Sequence, residues 1–247
     1  MSLEIIIYLL GVYFFAGCVK GVVGLGLPTI SIALVAVVLG LTEAMTLLII
    51  PSLVTNLVQA ISGPYLKLIF KRIWLFLLGI CFFTWLSTGV LIRADPSLLT
   101  FSLGVILIVY ALVSLCSLKI TVPKDKEKWL SPIFGSMTGV STGLTGTFVV
   151  PGVLYLQALG FDKNGFVQAM GVCFTTATLA LGISLGGRGV ISEELTILSA
   201  AAVIPALIGM NIGSRIRHRL PETTFKKLFF LSLFVLGGWI LLKSSIL

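Results

Sequence analysis

Long uncharged stretches alternate with short charged links along the whole chain. Between Arg93 and Lys119 the only charge is Asp95, beside Pro96, and between Lys163 and Arg188 there is none. A helix needs about 20 apolar residues to cross the hydrocarbon core of a bilayer, and several runs meet that length. The pattern predicts eight spans, at about 4–40, 43–62, 72–92, 97–117, 131–160, 164–186, 193–213 and 222–243. The first and fifth are broken by glycines. The fold class expected is therefore all-α, a polytopic membrane helix bundle. The run starting at Ile5 has no basic start and no clear small-residue cleavage site, so it reads as a span rather than a leader.

The polar link 119–130 divides these spans into two groups of four. The first group contains Gly17-x-x-x-Gly21-x-x-Gly24-x-Gly26-x-Pro28, and the second contains Gly135-x-x-x-Gly139-x-x-x-Gly143-x-x-Gly146 with Pro151 beyond. Leu39-Gly40 recurs as Leu159-Gly160, an offset of 120, and the same offset lays Thr55-Asn56 on Thr175-Thr176. Arg93-Ala94-Asp95-Pro96 is echoed by His218-Arg219-Leu220-Pro221. Four matches in one order predict an internal repeat, with a first transmembrane repeat at 1–118, a polar linker at 119–130 and a second repeat at 131–247. Four spans per copy would make the copies parallel. That inference fails if a break is a re-entrant hairpin, although the 30-residue second element suits two half-helices crossing together.

Charge changes the picture in two ways. The formal net charge is +8, yet only 11% of residues are charged, far below the roughly 25% of a soluble domain. The 17 Lys and Arg sit mostly in short links, where lipid headgroups and cytoplasmic retention explain them. They form no stripe interleaved with aromatics, so nucleic acid is not an expected partner. Their count on the two sides sets no orientation. The nine acids (Glu4, Glu43, Asp95, Asp125, Glu127, Asp162, Glu193, Glu194 and Glu222) all fall at span ends or in links. A cation carrier or a buried carboxylate proton relay would place acids within the spans. Cys18, Cys81, Cys116 and Cys173 lie in apolar segments without CxxC spacing, and His218 stands in a basic loop. The cysteines read as small apolar core residues rather than a metal site or disulfide framework, and no cofactor is expected.

The breaks are the candidate chemistry. Glycine admits positive φ and close backbone approach, and proline just beyond a break suits the first turn of a new helix. A helix that begins within the membrane presents free N–H groups and its positive dipole end, which suits an anion. The candidate binding residues are Lys20, Gly21, Gly24, Gly26 and Thr29 at the first break. At the second they are Thr142, Gly143, Thr145, Gly146 and Thr147, and the spans that follow add Asn56 in the first half and Thr175 and Thr176 in the second. Lys20 is costly at depth and faces either a cavity or, by snorkelling, an interface. The glycines Gly17-x-x-x-Gly21 and Gly135-x-x-x-Gly139 equally suit helix packing of the small-xxx-small kind. The hydroxyls and amides of Thr55, Asn56, Gln59 and Thr178 suit interhelical hydrogen bonding just as well.

At Gly17–Pro28, at Gly135–Pro151 and in the closing stretch from Gly209 to Pro221 the sequence resembles the TauE/SafE family of sulfite and organosulfur anion exporters. The resemblance covers nearly the whole chain. It implies a multi-pass protein of a prokaryotic inner membrane that moves a small anion such as sulfite or a sulfonate. Family members often carry three consecutive glycines followed by a proline. Here the runs read Gly24-Leu25-Gly26-Leu27-Pro28 and Gly143-Leu144-Thr145-Gly146. The function expected is a secondary transporter with alternating access between its halves, bound to its substrate near the midplane at the two breaks. An anion channel and a non-transporting assembly subunit are the alternatives. No GxxxxGK[ST] motif is present, so no ATP-driven step is expected. An enzyme would want a nucleophile–base pair within the spans, and none is found. The expected partners are the small anion, the lipid bilayer and, as one assembly open to such a bundle, a second copy in a homodimer.

Overall fold

The computed structural model describes residues 1–116, 121–217 and 222–244. These residues form α1 (Leu3–Val23), α2 (Leu27–Leu39), α3 (Leu41–Ile61), α4 (Leu66–Leu91), α5 (Pro96–Leu115) and α6 (Glu127–Thr145). They continue with α7 (Gly152–Ala158), α8 (Lys163–Gly186), α9 (Glu193–Ala201), α10 (Val203–Arg217) and α11 (Glu222–Ser244). Lys119 and the stretch His218-Arg219-Leu220-Pro221, on which the linker and the repeat partly rest, lie outside the described residues. Six helical stretches among the described residues are long and apolar enough to cross a membrane: α1, α3, α4, α5, α8 and Glu193–Ile216.

The elements expected at 4–40 and 131–160 each resolve into two helices, and these do not cross together. Gly24 takes φ 84° and closes α1, its N–H donating to the Lys20 carbonyl at 2.7 Å. Gly26, at φ 112°, then opens α2. The Tyr8 hydroxyl donates to the Leu34 carbonyl at 2.9 Å. In one continuous helix those residues would stand about 39 Å apart, so α2 runs back along α1. The second element reverses likewise. Gly146 closes α6 at φ 69°, its N–H donating to the Thr142 carbonyl at 2.8 Å. The Tyr155 hydroxyl on α7 lies 2.6 Å from that of Ser131, and its ring stacks on Phe134 at 5.0 Å. A left-handed glycine is the physical reason in both cases, because it ends the helix and turns the chain aside.

The chain divides into two compact units. The first comprises Met1–Pro51, Asp95–Ser117 and Val190–Leu247, and the second Ser52–Ala94 and Leu118–Gly189. Each unit thus draws on both sequence halves, and α3 is divided at Pro51.

In the first unit α1 packs along α10 in parallel. A Cβ on Gly17 or Gly21 would collide with the carbonyl oxygen of Ala206 or Met210. One on Gly209 or Gly213 would strike the carbonyl of Phe14 or Cys18. The two backbones touch, which only glycine allows. α5 and α11 run antiparallel: Gly104 abuts Gly237, while Tyr110 meets the Phe230 ring edge-on at 5.2 Å. Pro51 has no N–H for the Leu47 carbonyl four residues back. The Ser199 hydroxyl on α9 donates to that carbonyl instead, at 2.8 Å.

The second unit repeats the parallel seam between α4 and α6. Here Gly135 and Gly139 lie against the carbonyls of Phe76 and Ile80, and Gly143 against Thr84 and Ser87. The seam closes at one end on Arg72, whose Nε donates to Glu127 at 2.9 Å and whose Nη2 donates to the Leu159 carbonyl at 2.7 Å. That guanidinium also lies over the Phe161 ring. α8 runs beside α4 in the same direction, for the Gln168 amide donates to the Gly63 carbonyl and Arg188 to the Trp85 carbonyl.

The acids with described helical positions sit at helix ends, as the hydropathy pattern predicts. Glu4, Glu43, Glu127, Glu193 and Glu194 occupy first turns, and Asp95 and Asp162 cap α5 and α8. The cysteines depart from expectation. All four are free, but only Cys173 is buried, while Cys81 and Cys116 are exposed. An outward helix face in lipid accepts a small apolar residue as readily as a core does.

The seams set a stability test. Gly17→Leu and Gly139→Leu are each expected to lower stability by about 1–3 kcal/mol or more, because the added side chain meets backbone that has nowhere to move. Gly11→Leu meets open space and serves as the control. Thermal unfolding of detergent-solubilised variants measures both.

Candidate functional site

The first break is buried and short of hydrogen-bond acceptors on one side. α2 gains its first backbone hydrogen bond at Ile30, which donates to Gly26 at 2.9 Å. Pro28 carries no N–H, so the amides of Leu27 and Thr29 are the helix-start donors without an acceptor one turn back. No side chain caps this end. The Thr29 hydroxyl is 1% exposed and has no hydrogen-bond partner.

Lys20, in the last turn of α1, is 3% exposed. A lysine enclosed so completely does not reach water along its stem, which removes the snorkelling reading. Tyr13, which sequence reasoning missed, has a fully buried hydroxyl beside Ser31. Ser31 itself donates back to the Leu27 carbonyl at 2.7 Å. Nothing in the apolar run around Tyr13 distinguishes it from an ordinary core aromatic.

The glycines of this region separate by task. Gly17 and Gly21 are packing positions on α10, whereas Gly24 and Gly26 carry the left-handed backbone. A Cβ on Gly24 would meet only open space, so this residue is glycine for its conformation alone.

The second break has the same cap but different chemistry. Gly17, Gly21 and Gly24 precede Gly139, Gly143 and Gly146 by 122 residues each, and Gly24 and Gly146 close their helices in the same way. In this register Thr142 stands where Lys20 stands, so the charge belongs to one break only. The hydroxyls here are already engaged. Thr142 donates to the Thr138 carbonyl at 2.7 Å, and Thr145 donates to the Ser141 carbonyl at 2.8 Å. Thr145 and Thr147 hydroxyls lie 2.7 Å apart, and Ser141 donates to the Thr147 carbonyl at 3.0 Å. Ser141 is a further residue that sequence reasoning missed. Gly143 packs on α4, and Gly146 carries the turn. α7 is seven residues long, so its dipole is small.

The remaining candidates lie on α3 and α8 within the second unit. Asn56 is buried and donates to the Ser52 hydroxyl at 2.8 Å, which in turn lies 3.2 Å from that of Thr178. Gln59 donates to the Val167 carbonyl at 2.9 Å. Thr175 donates to Gly171 within its own helix at 2.7 Å and is half-buried, as is Thr176. The interhelical bonding reading thus describes Gln59 and the Ser52–Thr178 pair. Lys20, Gly24, Gly26 and Thr29 flank the turn between α1 and α2 in the first unit, while Asn56, Thr142, Thr145, Thr147, Thr175 and Thr176 belong to the second unit.

A family model described as sulfite exporter TauE/SafE matches residues 9–240 of the chain. No curated protein and no solved structure matches it.

The two kinds of glycine give separable outcomes. Gly24→Ala and Gly146→Ala are each expected to cost about 1–2 kcal/mol through left-handed backbone strain. Gly24→Asn is expected to recover part of that loss, since asparagine tolerates the conformation. Thermal unfolding of the three variants is the measurement.

Proposed function

Because the chain belongs to the TauE/SafE sulfite exporter family, a family of membrane transporters, we propose that it is a secondary carrier of a small sulfur oxyanion such as sulfite or a sulfonate. The observation that carries this reading is the first break. A fully enclosed lysine stands one turn before a left-handed turn and a helix start, with an unpartnered threonine hydroxyl in the new helix's first turn. Helix-start amides, a hydroxyl and a cation are the donors that a small oxyanion accepts from.

The substrate-binding residues proposed are Lys20, Gly24, Gly26 and Thr29, with Gly21 setting the seam on which they rest. Thr142, Gly143, Thr145, Gly146 and Thr147 hold the second break in shape, while Asn56 supports the helix after the first break and Thr175 and Thr176 the helix after the second. The absence of acids from the middle of the described helices favours an anion as cargo over a cation.

We further infer that the halves are inverted repeats rather than parallel ones. Two facts support this. Both broken elements turn back on themselves, and the last helices of the halves, α5 and α11, run antiparallel. Inverted repeats give a physical basis for alternating access, since exchanging the conformations of the two copies converts one opening into the opposite one. The protein is a multi-pass membrane protein, and a prokaryotic inner membrane is the location proposed.

Reconstitution in proteoliposomes tests the reading. Uptake of labelled sulfite or sulfoacetate should saturate and should accelerate when the same anion is loaded inside. Flux without saturation or acceleration would instead identify a channel. Lys20→Gln is expected to lower flux about tenfold or more through loss of a charge-assisted contact, and Thr29→Val roughly fivefold. Wild-type flux in both variants would remove the first break from the binding site.

A further inference from the structure

A second group of unmade hydrogen bonds lies at the end of α8 and belongs to neither break. Arg188 follows the helix on a turn closed by Gly189 at φ 68°. Its Nη2 donates to the Trp85 carbonyl at 2.6 Å, and the guanidinium lies 5.0 Å from the centre of the Trp85 ring. A side chain at position 89 would crowd it, for a Cβ on Gly89 would come within 3.2 Å of Nη2. A carbonyl, an aromatic face and a missing side chain therefore fix the guanidinium against α4. Its Nε is nonetheless buried without an acceptor, and so is the hydroxyl of Ser184, one turn earlier on α8.

A buried guanidinium N–H without an acceptor is expensive, because the desolvation of a charged donor goes uncompensated. The free edge of an arginine held in this way is a fork that matches two oxygens of a tetrahedral or planar anion. Lysine offers a point charge and no such edge. Ser184 supplies one more donor without a partner, one turn before the arginine in the chain. Around this group α4 turns apolar side chains outward: Trp85 is 47% exposed, and Phe82, Leu86 and Val90 are exposed as well. Tryptophan beside arginine, at the end of a span, is the composition of a membrane–water boundary.

We propose that Arg188 and Ser184 form a second oxyanion site at this boundary, receiving two oxygens of a phosphate or sulfonate group on the Nε edge of the guanidinium. The group comes either from an anionic phospholipid headgroup or from a free anion in the adjoining water. The site does not depend on the reading of the breaks, since no residue is shared with them.

Trp85 makes the site observable. The full-length protein, with Trp74, Trp129 and Trp239 replaced by Phe, is placed in phosphatidylcholine nanodiscs. One arm raises the phosphatidylglycerol fraction, and the other titrates inorganic sulfate against chloride at constant ionic strength. A saturable change in Trp85 emission is expected in one arm at least. Saturation in the lipid arm alone assigns a headgroup, and in the sulfate arm alone a free anion. Arg188→Lys should shift the midpoint about tenfold and Ser184→Ala about threefold. Ser184→Ala removes a single unpartnered hydroxyl and keeps the test available if Arg188→Lys fails to fold. No saturable change in either arm overturns the proposal. So does a midpoint that stays at its wild-type value in both variants.

Discussion

Backbone contact along glycine seams is the constraint on which the breaks rest. A helix that stops inside a bundle leaves amides and carbonyls that water would normally satisfy, and hydrocarbon offers them nothing. Such an end survives only if neighbouring backbone encloses it. Gly17 and Gly21 let α1 lie directly on α10, and Gly139 and Gly143 let α6 lie directly on α4. With any side chain at those positions the helices would separate by the width of that group. The terminal turns at Gly24 and Gly146 would then lose their cover.

Given that enclosure, the two breaks diverge in what they leave unmade. At the second, Ser141, Thr145 and Thr147 consume one another's hydrogen-bonding capacity, and a short α7 adds little dipole. At the first, no side chain caps α2, Thr29 keeps an unpartnered hydroxyl, and Lys20 brings a charge that Thr142 does not. A shared cap geometry thus carries a closed polar knot in one case and an uncapped helix start beside a buried lysine in the other. If the first break binds the anion as proposed, substrate handling and structural support are divided between two copies of one motif.

The same logic of unmade bonds runs through the rest of the molecule. Where a polar group is freed by the covalent chain, the structure usually supplies a partner, as Ser199 does for the carbonyl that Pro51 leaves behind. Arg72 satisfies Glu127 and a terminal carbonyl at once. Against that background Thr29, Ser184 and the Nε of Arg188 stand out as buried donors without a partner among the described residues.

The sequence alone was sufficient for the helical class, the place of the described acids at helix ends and the family. These follow from local rules: apolar length, glycine and proline chemistry, and the cost of burying charge. It could not sort Gly21 from Gly24, because a packing glycine and a left-handed glycine look alike until a neighbouring backbone is in place. Nor could hydropathy tell a crossing from a reversal, since both bury the same apolar residues. That was decided by contacts across 24 and 26 residues, Ser131 with Tyr155 and Tyr8 with Leu34. The idle donors of Thr29 and Arg188 are likewise properties of the fold, for a hydrogen bond is missing only with respect to everything packed around it.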